Sequence, residues 1–261
     1  MELRLDGRTA LITGGSRGLG RAMAETFAAA GGCVAVVARD RSALDETLSA
    51  LQAANPDGAH AAISADVRDA DELARAHSEA VAACGPIDIL VNNSGTSNAR
   101  PFLEISDDDW QDDLDLKLFS AIRLCRLCLP HMRDQRWGRI INSLNVGAKA
   151  AAAQTCPTSA SRAAGMAMTK ALASEFAADG VLVNALITGL LVTHQWRTRW
   201  EREGAGTTFD EFTASIGNRI PAGRMGDAQE FANLALFLAS DAASYVTGTA
   251  INIDGGLSPV V

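Results

Sequence analysis

The sequence predicts an α/β protein: a single Rossmann-like, doubly wound domain with a parallel sheet of about seven strands and helices on both faces. Three observations lead there. Short apolar runs alternate with amphipathic helical patterns along the 261 residues, which is how parallel strands buried on both faces read. The first run passes at once into a glycine-rich turn that opens a helix, "TGGSRGLG" at 13–20; the pattern carries weight because of this strand–turn–helix setting. No linker rich in Pro, Gly or Ser divides the chain and no internal repeat is visible. Residues 1–261 therefore read as one domain, large enough for a full core.

In order along the chain, "TALIT" (9–13) is a strand and "RAMAETFAAAG" the helix after the glycine turn. "CVAVVA" (33–38) is the second strand, followed by the helical "RSALDETLSALQAA". "HAAIS" leads to Asp66 and the helical "DADELARAHSEAVAAC". "IDILVN" (87–92) leads through a loop to one long helical stretch from about Ser106 to Met132. "GRIINS" (138–143) is a strand, and "AAAQTCPTSASRAAGMAMTKALA" (151–173) is a loop followed by a helix of small residues. "VLVNAL" (181–186) and "TGTAINID" (247–254) complete the sheet. Between them, 190–225 has charged clusters and two Trp but no strong strand. It reads either as a lid beside the sheet or as a surface helical pair with no gating role.

Composition narrows the function classes. Net charge is −8 with no block of Lys or Arg, which argues against nucleic acid or an anionic membrane as a partner. A small anionic ligand needs only two or three local cations and stays open. No run of 18 apolar residues suggests a membrane span, and "MELRLDGRTA" carries charges where a signal peptide would need an apolar core. Five Cys without framework spacing make a reducing cytoplasm the expected setting. Cys125, Cys128 and His131 resemble a metal trio, but they lie in the helical pattern "AIRLCRLCLPHM", where Cys behaves as a small buried hydrophobe. No metal is expected.

The glycine turn is a phosphate cradle. Glycines let the backbone turn sharply against a pyrophosphate, and the helix N-terminus presents free N–H groups and the positive end of its dipole. The assigned residues are Gly14, Ser16, Arg17, Gly18, Leu19 and Gly20. At the end of the second strand, "VARDR" (37–41) places Arg39 where an acidic residue would grip the adenosine ribose. Arg17 and Arg39 can fork onto a 2′-phosphate, so NADP(H) is favoured over NAD(H). Asp40 could still approach the ribose, and Arg39 could be a solvated loop charge.

These residues resemble the short-chain dehydrogenase/reductase superfamily over nearly the whole chain. "ADV" (65–67) resembles the segment whose acidic residue contacts adenine, which implies Asp66 and Val67. "NNSG" (92–95) resembles the motif that steadies the central sheet near the cofactor, implying Asn92 and Gly95. "VNALITGLLVT" resembles the segment near the nicotinamide, with Thr188 where Pro is usual, then Gly189 and Thr193. "RMGDAQEFANLALFLASDAASYVTGTAINIDGG" resembles the C-terminal signature.

The resemblance also implies a Tyr–Lys–Ser–Asn tetrad, and here all four positions differ. Lys117 stands at the Asn, Asn145 at the Ser, Thr158 at the Tyr and Arg162 at the Lys. The chain's one Tyr, Tyr245, lies inside the C-terminal signature, so no small register slip recovers a phenol. Ser143 points to the same strand face as Asn145 and could partly stand in for the Ser. Assembly as a homodimer or homotetramer through 106–133, 157–179 and the C-terminus is implied too, or as a hetero-oligomer with an active relative.

A Thr hydroxyl is a weak acid, and losing a positioned acid costs a factor of roughly 10² to 10⁴. Lys117 is a candidate replacement, its pKa depressed if Arg162 is close; Cys156 and His194 are others. Lys117 with Arg162 would make a cationic floor suited to a carboxylate, enolate or phosphate. Alternatively, Arg162 merely grips the cofactor ribose while Lys117 pairs with an Asp. Three classes remain: an NADP-dependent oxidoreductase acting on a carbonyl or alcohol through a non-standard proton relay; a lyase, isomerase or hydrolase working through an anionic intermediate; and an inactive subunit or cofactor-responsive binding protein.

Overall fold

The computed structural model describes residues 3–204 and 206–261; Met1, Glu2 and Ala205 of the expected domain lie outside the described residues. Its strands are β1 (Thr9–Thr13), β2 (Cys33–Ala38), β3 (His60–Ser64), β4 (Ile89–Asn92), β5 (Gly138–Asn145), β6 (Val181–Thr188), β7 (Leu191–Val192), β8 (Gly226–Asp227) and β9 (Ala250–Ile253). Seven form one parallel sheet in the order β3-β2-β1-β4-β5-β6-β9, and β7 pairs with β8 in parallel beside it. The helices are α1 (Gly18–Ala29), α2 (Arg41–Ala54), α3 (Ala70–Cys84), α4 (Asp107–Leu114), α5 (Ser120–Asp134), α6 (Thr158–Phe176), α7 (His194–Glu203), α8 (Phe209–Gly217) and α9 (Ala228–Ala239).

Strand alternation builds two cores. Ile12, Val34, Val36, Ile89 and Val91 face Met23 and Phe27 of α1 and Phe231 and Leu238 of α9. Their neighbours Leu11, Ala35, Val37 and Leu90 face the other way, onto Leu73 of α3 and Leu124, Cys128 and Met132 of α5. Each large apolar side chain buried this way contributes about 1.5–3 kcal/mol. Cys125 and Cys128 belong to this second core, and burial pushes the Cys125 thiol up to about 12. His131 instead lies 3.5 Å from the Asp88 carboxylate. Among the described residues no group of His, Cys, Asp and Glu is placed to hold a metal ion, and no helix is long and apolar enough to cross a membrane.

Three readings of the sequence are refined. The stretch from about 106 to 132 is helical without a break, and a π turn, Asp115–Phe119, is inserted between α4 and α5. The last strand begins at Ala250 rather than 247 because Gly248 turns with φ +70° against Lys170 and Ala173. The segment 190–225 carries α7 and α8 between the short strands β7 and β8, with Trp200 edge-on to Phe209 at 5.9 Å. The chain runs from β1 to β3 on one side and resumes at β4 on the other. That reversal opens a crevice beyond the carboxyl ends of β1 and β4, where ligands of open α/β sheets bind.

Candidate active site

A cleft of about 480 Å³ occupies that crevice. At one end the glycine turn is held from two sides. Gly14 N–H donates to Val37 O at 2.8 Å, and the Asn93 amide donates to the carbonyls of Thr13 and Gly14 at 3.1 and 3.4 Å. The Thr13 hydroxyl accepts the N–H groups of Asn93 and Ser94, and Thr47 donates to Ser16 O from α2. Gly14 and Gly18 have φ of +64° and +56°, a region natural to glycine. At Gly20 a Cβ would overlap the Gly14 carbonyl. This cradle therefore fits a dinucleotide pyrophosphate on the α1 N-terminus.

Of the residues expected from the sequence, Gly14, Ser16, Arg17, Gly18, Leu19, Arg39, Gly95, Asn145, Thr158, Arg162, Thr188, Gly189 and Thr193 line one continuous cleft. Five do not. Gly20 lies beneath the turn, where it lets Gly14 and α1 close together. Val67 is packed in the second core. Asp66 is turned onto Arg68, at 2.6 Å, which holds its carboxyl below the usual range. Asn92 donates to Asn142 at 2.9 Å, and Asn142 donates to Thr169 at 2.8 Å; this buried chain ties β4 and β5 to α6. Asn92 thus steadies the sheet, and its neighbour Asn93 faces the cleft. Lys117 is the fifth.

Lys117 sits fully buried behind Thr158. Its ammonium pairs with Asp113 and donates to Thr158 Oγ1 at 3.0 Å. Asp113 also accepts from Ser161 at 2.6 Å. Burial lowers the Lys117 pKa, Asp113 opposes this, and the Arg162 charge adds to the lowering. The expected cationic floor is corrected accordingly. Lys117 is neutralised by Asp113 outside the cleft, so the fixed positive charge at this end is Arg162. No Asp or Glu is among the described residues that line the cleft.

Thr158 and Arg162 sit one turn apart at the start of α6 and face the same way. The Thr158 oxygen accepts from Asn98 N–H as well, at 3.0 Å. Arg162 donates from Nη1 to Ser143 O at 2.6 Å and lies against Gly95. Burial brings its pKa down to about 10. Arg162 Nε, Ser143 Oγ and Asn145 Oδ1 are buried and unpaired within the protein. Polar atoms so placed cost about 1–3 kcal/mol each unless a ligand or water meets them, which fits a polar ligand such as a nicotinamide ribose or an oxygen-rich substrate. Ser143 and Asn145 do share a face, both lining the cleft. His194 lies at the cleft mouth and is exposed; Cys156 packs near Ser159, 3.9 Å away, outside the lining. Tyr245 is fully exposed on the surface.

Sequence reasoning missed Asn93, Thr96, Ser97, Leu144, Leu191, Gln195 and Trp196 in the lining, and Asp113 behind it. The i, i+4 spacing of Asp113 and Lys117 was a visible signal for the last. Nothing marked the others, because which loop residue faces a cleft is set by tertiary structure.

Fold and cleft define a Rossmann-type dinucleotide site, and comparison with known proteins gives the family. A family model described as enoyl-(acyl carrier protein) reductase matches residues 14–258. The chain is 33% identical over 255 residues to 3-oxoacyl-(acyl-carrier-protein) reductase FabG of Escherichia coli K12, covering 98% of this chain and 99% of that protein. The protein belongs to the short-chain dehydrogenase/reductase superfamily. Among solved structures it resembles, at 36% identity and a TM-score of 0.91, a short chain oxidoreductase of Pseudomonas aeruginosa PAO1, NADPH-bound and containing an atypical catalytic center; 99% of each chain is covered. It also resembles L-sorbose reductase of Gluconobacter frateurii complexed with NADPH and L-sorbose, at 30% identity and a TM-score of 0.94 with both chains fully covered.

Proposed function

We propose that the protein is an NADP(H)-dependent oxidoreductase acting on the carbonyl or alcohol of a small polar molecule, with Thr158 and Lys117 forming the proton relay. The observation that carries this is the single cleft joining the Arg17/Arg39 end to the Thr158/Arg162 end. Arg17 pairs with Asp40 at 2.7 Å and Arg39 stands 3.9 Å from Asp66. Both guanidiniums are exposed, so these contacts exchange readily for a 2′-phosphate. Relatives with NADPH bound support the same choice.

NADPH, when bound, supplies the hydride. The chain's own residues supply the rest. A hydroxyl offers two lone pairs and one donor, and both lone pairs of Thr158 are engaged by Lys117 and Asn98. Its O–H is left with Asp113 at 3.4 Å or with a substrate oxygen in the cleft. Donation to the substrate can therefore be followed by transfer from Lys117 Nζ, already directed at Oγ1. Lys117 takes the proton role that a phenol would have, one atom further back. Arg162 and Asn145 orient the substrate or the ribose, and the unpaired Arg162 edge in a cleft without carboxylates favours an anionic substrate group. His194, Gln195 and Trp196 bring α7 to the cleft mouth, so α7 and α8 serve as its lid. The exposed Phe102, Leu103 and Phe119 suit assembly as a homo-oligomer.

Calorimetric titration with NADPH and NADH tests the cofactor reading. Tight NADPH binding, weak NADH binding and a rate in a carbonyl screen that Lys117→Ala abolishes are expected. Binding of neither nucleotide overturns the reading in favour of a non-redox enzyme or scaffold. Tight NADPH binding with no turnover favours the cofactor-responsive protein.

A further inference from the structure

We propose that Asp113 is a positioning residue for proton delivery, holding the Lys117 ammonium charged and directed at Thr158 so that each reduction draws its proton from a buried ion pair. The inference rests on the proposed reductase activity. Four polar side chains with almost no exposure meet here: Asp113, Lys117, Thr158 and Ser161. They come from three elements. Asp113 lies in the last turn of α4 and Lys117 follows in the π turn, a device found at functional sites; Thr158 and Ser161 open α6.

A lysine buried alone would lose its proton, because desolvation penalises the charged form. Asp113 prevents this, and its second oxygen is fixed by Ser161 at 2.6 Å. The carboxylate is thereby held toward Lys117. Among the described residues, the charged groups acting on Lys117 are Asp113 from α4 and Arg162 from α6; none comes from α5. As a purely stabilising feature the pair makes little sense, since an apolar pair of similar volume is often as stable or more so. What it provides is a charged proton donor 3.0 Å from the Thr158 hydroxyl, and Thr158 also lines the cleft.

The step balances. Bound NADPH would supply a hydride, with two electrons, to the carbonyl carbon, leaving the C=O π pair on oxygen. That oxygen takes the Thr158 hydroxyl proton, and the Thr158 oxygen takes one from Lys117. The products are the alcohol, NADP⁺ and a neutral Lys117 beside ionised Asp113. Cleft solvent restores the proton through the same hydroxyl after product leaves.

The chain has three lysines, Lys117, Lys149 and Lys170, so carbon-13 labelling at lysine Cε gives three resonances. Lys149→Arg and Lys170→Arg assign them. The Lys117 titration should coincide with the high-pH fall of kcat for carbonyl reduction in the unmutated protein. The sign follows from the chemistry: the donor must be protonated, so rate is full below the Lys117 pKa and lost above it. Asp113→Asn removes the counter-charge and should move resonance and kcat limb together to lower pH by about one unit, a tenfold change in the charged fraction ratio above the pKa. NADPH affinity should hold, and Asp113→Glu should restore part of the shift. A kcat limb that ignores the Lys117 titration, or a uniform loss of kcat with no shift, overturns the inference. If Asp113→Asn does not fold, the wild-type coincidence still decides, and Asp113→Leu with Lys117→Met should fold, bind NADPH and reduce nothing. Reduction retained in that double variant overturns the inference and the Lys117 relay while leaving the NADP(H)-dependent oxidoreductase reading intact; no reduction by the unmutated protein at any pH overturns both.

Discussion

In the proposed relay Thr158 is the residue on which the chemistry turns, because its one hydroxyl connects a buried ammonium to the cleft. Thr158→Val keeps shape and volume and removes only that connection. The expected outcome is a fall in kcat of roughly 10² to 10³, the typical effect of losing a positioned proton donor. NADPH affinity measured by calorimetry should stay within a factor of about two, since nothing in the phosphate cradle depends on this side chain. Thr158→Ser should recover most of the rate. Stability should also fall in the Val variant, by about 1–3 kcal/mol, because Lys117 Nζ and Asn98 N–H lose their shared acceptor. A Val variant with the parent rate would remove Thr158 from the relay.

Elements carry the cofactor end. Gly20 stands where α1 passes under the Gly14 carbonyl, and a Cβ would also crowd Asn93 Nδ2 at 2.7 Å. Gly20→Ala should therefore push α1 away from the turn and weaken NADPH binding by roughly tenfold, about 1.4 kcal/mol, with a lower Tm in the same sample. A Gly20→Ala protein with parent affinity would mean that the turn is not the phosphate cradle. This turn was legible in the sequence because its geometry demands particular residues at fixed positions. So were the seven strands, whose buried faces demand continuous apolar runs such as Cys33–Ala38. The π turn at Asp115–Phe119 was not legible, because "DLKLF" reads equally as ordinary helix. Lys117 illustrates the consequence. Its identity suggested a cleft cation, but the backbone places it behind Thr158 with Asp113 as its partner. Lys117 does pair with an Asp, Asp113, and Arg162 lines the cleft.

At the scale of the molecule, charge is distributed against its own sum. The chain carries a net −8, yet the cleft is lined by Arg17, Arg39 and Arg162 with no carboxylate among its described lining residues. An anionic dinucleotide is therefore repelled by the surface at long range and attracted within the cleft. Salt acts on both, but unequally. The Debye length is about 10 Å at 0.1 M ionic strength, so moderate salt screens the distant repulsion first, while the exposed Arg17 and Arg39 contacts weaken as salt rises further. NADPH affinity should accordingly fall between about 0.1 and about 0.5 M salt, a range over which that length roughly halves, and NADH affinity should change much less. Arg17→Ala with Arg39→Ala should flatten the NADPH dependence to that of NADH, because the 2′-phosphate then meets no local cation. Calorimetric dissociation constants across that salt range measure it. A steep NADPH dependence that survives the double substitution would place the 2′-phosphate elsewhere and return Arg39 to a solvated loop charge.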